Sequence, residues 1–135
     1  MKTIGLFGIG GVYNYGCEAI IRGTVRILKT INPKCHIIYY SRRAKEDRNQ
    51  LKDLDIDIYQ ISHSLSIFSR AANKILRESN LNFRIPIDDY KRMYRECDVL
   101  ISIGGDIYTI PEYLRRQNIY PYYNRIVQFG DIVKK

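Results

Sequence analysis

Short apolar runs alternate with amphipathic stretches along the chain, and that alternation predicts its elements. Thr3–Phe7 reads as a first strand, followed by a turn through Gly8, Gly10, Gly11 and Gly16. Cys17–Ile31 places Ile20, Thr24, Ile27, Leu28 and Ile31 at helical spacing, so the pattern predicts a helix packed inward through those five positions and ended by Asn32 and Pro33. His36–Tyr40 is a continuous apolar run, as in a strand buried on both faces of a parallel sheet. Arg42–Leu54 has little apolar face and predicts a short surface helix, or partly a loop. Ile56, Ile58, Tyr59 and Ile61 form a third strand. Ser64 then caps a helix whose inward stripe is Leu65, Phe68, Ala72, Ile75 and Leu76, and Ser79–Pro86 breaks it. Asp88 caps a further helix through Arg95, and Val99–Ile103 is a fourth uninterrupted strand leading into a second glycine turn, Gly104–Thr109. Beyond Tyr108 the chain is rich in tyrosine and broken by Pro111 and Pro121, and Asn124–Lys135 reads as a final helix.

Strands alternating with helices imply an α/β fold, a Rossmann-like doubly wound parallel sheet with helices on both faces. The first three strands are expected in the order 3-2-1. With the fourth beside the first, the winding reverses between them, and ligands gather at the carboxyl ends of strands at such a point. Those ends carry the two glycine turns, so Gly8–Glu18 and Gly104–Thr109 are expected to face one another across a single cleft.

The 135 residues make one domain, with 45% hydrophobic and 27% charged residues, as in ordinary globular chains. No apolar run approaches the roughly 18 residues of a membrane span, and the first residues lack a signal-peptide core, which points to a cytoplasmic protein without an integral membrane segment. Cys17, Cys35 and Cys97 are too far apart for a zinc site or a disulfide framework, so reduced thiols and no metal are expected. The net charge of +8 is spread over predicted helices without a nucleic-acid motif, which favours solvated helix surfaces over a nucleic-acid partner.

The first glycine turn is not a dinucleotide fingerprint. Gly8-Ile9-Gly10-Gly11-Val12-Tyr13 has tyrosine at the third glycine position, and Ser41, Arg42 and Arg43 stand where an acidic ribose partner belongs. The arginines alone would suit NADP, but the glycine pattern does not. A P-loop fails because Cys17 and Glu18 replace its lysine and hydroxyl residue. Glu18, in the first helical turn, would repel a phosphate lying directly on the helix N–H groups, so a neutral, hydroxyl-rich ligand is expected, with no bound cofactor. Asn14 offers donors and an acceptor, and Glu18 and Asp106 offer carboxylates able to hold or deprotonate an alcohol. The plainer roles are that Glu18 complements its helix dipole and Asn14 holds the turn.

Asn14-Tyr15-Gly16-Cys17-Glu18-Ala19-Ile20 resembles the Asn-x-Gly-Asp-Glu-Ala-Ile segment of the polysaccharide pyruvyl transferases, and Asp98–Thr109, DVLISIGGDIYT, resembles their second glycine segment. Cys17 departs from the usual aspartate. The resemblance implies an N-terminal Rossmann-like domain, residues 1–135, of a longer GT-B-like two-domain transferase, completed by a C-terminal domain or by a second copy. It implies transfer of pyruvyl from phosphoenolpyruvate, the donor substrate, to a sugar or lipid-linked glycan acceptor as a ketal in surface-polysaccharide biosynthesis. On this basis Glu18 and Asp106 are the expected catalytic residues, and Asn14, Gly16, Gly104, Gly105 and Tyr108 the substrate-binding ones. Tyr113, Tyr120, Tyr122 and Tyr123 offer ring faces for a sugar. Two alternatives remain: half of a GT-B-like glycosyltransferase, or a non-catalytic glycan- or partner-binding module. His63, at the end of the third strand, is the histidine placed nearest the cleft.

Overall fold

The structure, a computed structural model, describes residues 1–61, 67–79 and 88–104. Its elements are β1 (Thr3–Phe7), α1 (Tyr15–Ile31), β2 (His36–Ser41), α2 (Ala44–Gln50), β3 (Asp57–Gln60), α3 (Ile67–Glu78), α4 (Asp88–Glu96) and β4 (Val99–Ser102). The four strands form one sheet in the order β3-β2-β1-β4, all parallel, as the alternation of elements predicts. Ile4 of β1 lies between Ile37 of β2 and Val99 of β4, and Leu6 lies between Tyr39 and Ile101. Period-two alternation then sends the two faces of each strand into separate cores.

One face, under α1 and α2, collects Leu6, Ile37, Tyr39 and Ile58 with Ile21, Val25, Ala44 and Leu51. The other, under α4, collects Phe7, Ile38, Tyr40 and Ile61 with Tyr90 and Met93. Each fully buried aliphatic side chain contributes about 1.5–3 kcal/mol, so these clusters supply most of the driving force for the sheet. Gly5 sits on the α4 face where no side chain fits: a Cβ there would lie 2.5 Å from Leu100 Cδ2 and 2.7 Å from Cys97 Sγ.

Three expectations about packing need correction. First, α1 turns inward on Ile21 and Val25, not on the expected stripe: Ile27 is 61% exposed and Ile31 76%, while Leu28 is half-buried against the core. Arg22 and Lys29 fix this rotation from the side, reaching Asp53 at 2.6 Å and Asp55 at 2.5 Å, respectively, in the segment before β3. Second, α3 leaves Phe68 and Ile75 exposed, and among the described residues it is α4, through Tyr90 and Met93, that contributes to the core on its side of the sheet. Third, β4 is not buried on both faces as β2 is: Val99 is exposed and the rest of the strand half-buried. Ser64, Leu65, His63, the Tyr-rich segment and the expected helix over 124–135 lie outside the described residues.

Candidate functional site

The glycine turns meet where the topology requires. Ile103 N–H donates to Phe7 C=O at 2.7 Å, carrying the β1–β4 pairing to the carboxyl ends of both strands. Gly8 and Gly104 both adopt left-handed backbone, at φ 110° and 113°. A Cβ on Gly104 would lie 3.2 Å from Ile9 Cγ1 and 3.8 Å from the Gly8 carbonyl carbon, so the two turns are in van der Waals contact. Glycine serves twice at position 104, for the positive φ and for the close approach. Gly105, Asp106 and Tyr108, the rest of the second turn, lie outside the described residues.

Within the first turn, Asn14 is the N-cap of α1. Its extended backbone and its Oδ1, which accepts Cys17 N–H at 2.8 Å, satisfy one of the open donors of the first helical turn. The cap occupies the amide oxygen only; the Asn14 amide N–H groups have no acceptor among the described residues, so capping and ligand binding are compatible. Gly16 lets the cap sit close, since a Cβ there would stand 3.2 Å from Asn14 Oδ1. Glu18 lies one turn on, its backbone N–H bonded to Asn14 C=O at 3.1 Å. Its carboxylate accepts Arg22 Nε–H at 2.7 Å, and Arg22 bridges onward to Asp53 and to Gln50 C=O. Hydrogen bonds to Asp53 and Glu18 raise the Arg22 guanidinium above its already high value, and the same bond to Arg22 holds the Asp53 carboxyl below the usual range.

A buried network that the sequence does not announce braces the turn from the β2 side. Asp47, on α2, is 1% exposed. Its Oδ1 accepts Val12 N–H at 3.0 Å and its Oδ2 accepts the Ser41 hydroxyl at 2.5 Å; Ser41 Oγ in turn accepts Arg43 N–H at 2.9 Å. Tyr39 donates its hydroxyl to Ile9 C=O at 3.1 Å, and Arg42 N–H bonds Gly10 C=O at 3.0 Å. Burial, reinforced by the neighbouring Asp47 charge, pushes the Tyr39 hydroxyl far above the ordinary phenol range, so it stays a donor. The turn is therefore held at residues 9, 10 and 12 before any ligand arrives. Asp47 sits in a charged stretch, RRAKEDRNQ, where nothing distinguishes it from its solvated neighbours; only its contact with a residue 35 positions earlier buries it.

A depression of about 530 Å³ opens at the other end of the sheet, lined in part by Lys29, Cys35, His36, Asp55 and Asp57. Within it Lys29 pairs with Asp55 and the His36 ring hydrogen-bonds Asp57, and it lies at the amino ends of the strands, away from both glycine turns. No cluster of three or more metal-ligating side chains occurs among the described residues. No helix among them is long and apolar enough to cross a membrane.

Sheet order, contacting turns and capped helix together define a parallel α/β domain whose winding reverses between β1 and β4. A family model described as polysaccharide pyruvyl transferase matches residues 14–133, from the Asn14 cap past the second glycine turn. The chain belongs to the polysaccharide pyruvyl transferase family. Comparison with curated proteins and with solved structures finds no match.

Proposed function

We propose that this chain supplies the acceptor-side wall of a pyruvyl transferase that forms a cyclic ketal on a sugar in a cytoplasmic step of surface-polysaccharide biosynthesis, as one domain of a GT-B-like pair. The observation that supports this reading is the contact of Gly104, within the second segment that resembles the family, with Gly8 and Ile9 of the turn that leads into the first, Asn14–Ile20. The donor is phosphoenolpyruvate. Its methylene carbon takes a proton, one acceptor hydroxyl adds to C2 and gives its proton to a base, the C2–O bond to phosphate breaks, and a second hydroxyl closes the ketal while its proton leaves with inorganic phosphate. Asn14 presents its amide N–H groups, which have no acceptor among the described residues, to the sugar. Asp106 is the first candidate for the base, because the Glu18 carboxylate is held by Arg22 at 2.7 Å and acts only if that bond is released. Gly16, Gly104, Gly105 and Tyr108 shape the acceptor wall.

The test is acceptor-dependent release of phosphate from phosphoenolpyruvate by the complete protein, with the ketal identified by mass spectrometry. No release across a broad panel of diol-bearing glycans overturns the assignment. Glu18→Gln with unchanged turnover removes Glu18 as the base, and Asp106→Asn with unchanged turnover removes Asp106.

A further inference from the structure

The carboxyl end of β2 lays two cations on the first glycine turn. Arg42 runs along Gly10, its Cδ and Nε each 3.4 Å from where a Cβ would stand, and its backbone is pinned by the bond to Gly10 C=O at 3.0 Å. Arg43 runs along Gly11, its Cδ 3.3 Å from the corresponding point. Tyr13 lies between them: its hydroxyl is 2.8 Å from the Gly10 Cβ position, and the Arg43 guanidinium stands 5.9 Å above its ring. Both arginines are exposed. Arg22, Lys29 and Arg92 are each held by a carboxylate at 2.5–2.8 Å, but Arg42 has no acidic partner among the described residues and Arg43 has only a long contact to Glu46 at 3.4 Å.

Two further acids near this surface, Glu18 and Asp47, are engaged elsewhere. Glu18, expected from sequence to repel a phosphate, is bound to Arg22, and Asp47 is buried under Val12 and Ser41. The N–H groups of Gly10 and Gly11 have no acceptor among the described residues, whereas that of Val12 does. The two glycines let Tyr13 and the arginine stems lie directly on the turn, which leaves Gly10 half-buried and Gly11 buried beneath them; a methyl on Gly10 would fall 2.8 Å from the Tyr13 hydroxyl. Planar guanidinium forks beside backbone N–H groups that have no acceptor among the described residues, on a turn already fixed at three points, match the oxygens of a phosphate group.

We propose that Arg42 and Arg43, with the N–H groups of Gly10 and Gly11, form a phosphate subsite that holds a phosphoryl group carried by the acceptor; its assignment to the acceptor rests on the function proposed above. The sugar hydroxyls that receive pyruvyl then lie toward Asn14 and Gly104, and the phosphoryl group toward β2. Phosphoenolpyruvate is the other source of the same chemistry, and the experiment separates the two.

The ¹⁵N-labelled chain is titrated in low salt with pyrophosphate, galactose 1-phosphate, phosphoenolpyruvate and neutral galactose, following backbone amides by NMR. Pyrophosphate and galactose 1-phosphate are expected to shift the Gly10 and Gly11 resonances, and galactose alone is not. Arg42→Gln should weaken pyrophosphate binding about tenfold, as for loss of one charge-assisted contact, and Arg42→Lys by less. Arg26→Gln, on an exposed position of α1, should leave it unchanged. The proposal is overturned by the absence of shifts at Gly10 and Gly11, by wild-type affinity in Arg42→Gln, or by a response to phosphoenolpyruvate but not to the other two phosphates. Intact pyrophosphate binding in a protein that transfers no pyruvyl group would strike the function proposed above and leave the phosphate subsite standing.

Discussion

Asp47→Ala is expected to be among the most costly single changes outside the apolar cores. The carboxylate accepts two hydrogen bonds in a site closed to water, from Val12 N–H at 3.0 Å and from the Ser41 hydroxyl at 2.5 Å. Alanine leaves both donors buried without acceptors, at about 1–3 kcal/mol each, while relieving the burial of an unpaired charge, for a net loss of about 2–4 kcal/mol. Asp47→Asn keeps an oxygen for Val12 but turns an N–H group toward Ser41, so about 1–2 kcal/mol is expected. With a urea slope of about 2 kcal/mol/M, a 3 kcal/mol loss lowers the unfolding midpoint by about 1.5 M. The local signature is hydrogen exchange at the Val12 amide, which should accelerate in Asp47→Ala beyond what the change in global stability explains. An unchanged midpoint, or a Val12 amide as protected as before, would refute the bracing role.

Gly5→Ala should destabilise by about 1–3 kcal/mol through overpacking, since its methyl would meet Leu100 and Cys97 at 2.5 and 2.7 Å; a denaturation midpoint equal to the wild type would show that α4 has room to yield. Ile21→Ala should cost about 2–5 kcal/mol and Ile27→Gln less than about 0.5 kcal/mol, measured by the same denaturation; the reverse order would restore the stripe expected from sequence. Alkaline stability should reflect Tyr40 and Cys97, whose hydroxyl and sulfur lie 3.4 Å apart; burial raises the ionisation of both, with the Cys97 contact adding to Tyr40 and the Glu96 charge to Cys97. Because the folded values lie above the unfolded ones, their contribution is complete below about pH 9, where an unfolded thiol ionises, and is lost as pH rises beyond it. Tyr40→Phe should flatten the part of that decline above about pH 10, and an equally steep decline in the variant would exclude Tyr40 as its source.

The sheet was legible in the sequence because its signals are local and redundant. HIIYY and VLIS are strands wherever they are buried, and glycines immediately after an apolar run mark the carboxyl end of a strand. Parallel pairing and the order of the first three strands followed from the alternation of elements, and a Rossmann-like placement of the fourth beside the first brought Gly104 to Ile9. Helix rotation was less legible. α1 carries two apolar stripes, Ile20-Ile27-Ile31 and Ile21-Val25-Leu28, and periodicity alone does not rank them; the ion pairs of Arg22 and Lys29 decide, and these depend on Asp53 and Asp55 far along the chain. At the site, the Asn-x-Gly spacing of the cap was visible, but Asp47 was not, since its burial is imposed by a loop 35 residues away. The electrostatic inference drawn from Glu18 was incomplete for a similar reason: the carboxylate is in the expected helical turn, but Arg22 one turn later holds it.

Placing β1 inside the sheet also sets the timing of synthesis. β1 pairs with β2 as soon as the segment through Ser41 is available, yet its other edge is matched only by β4, and Thr3 N–H finds its acceptor in Asp98, 95 residues later. At about 5–20 residues/s, a ribosome takes about 5–20 s to make that stretch. Throughout that interval the growing chain presents an unpaired apolar strand edge beside the first glycine turn, open to any other extended segment. Chaperone demand for this protein should thus concentrate on nascent chains shorter than about 100 residues, and should fall once Val99–Ser102 has emerged and closed the edge of β1.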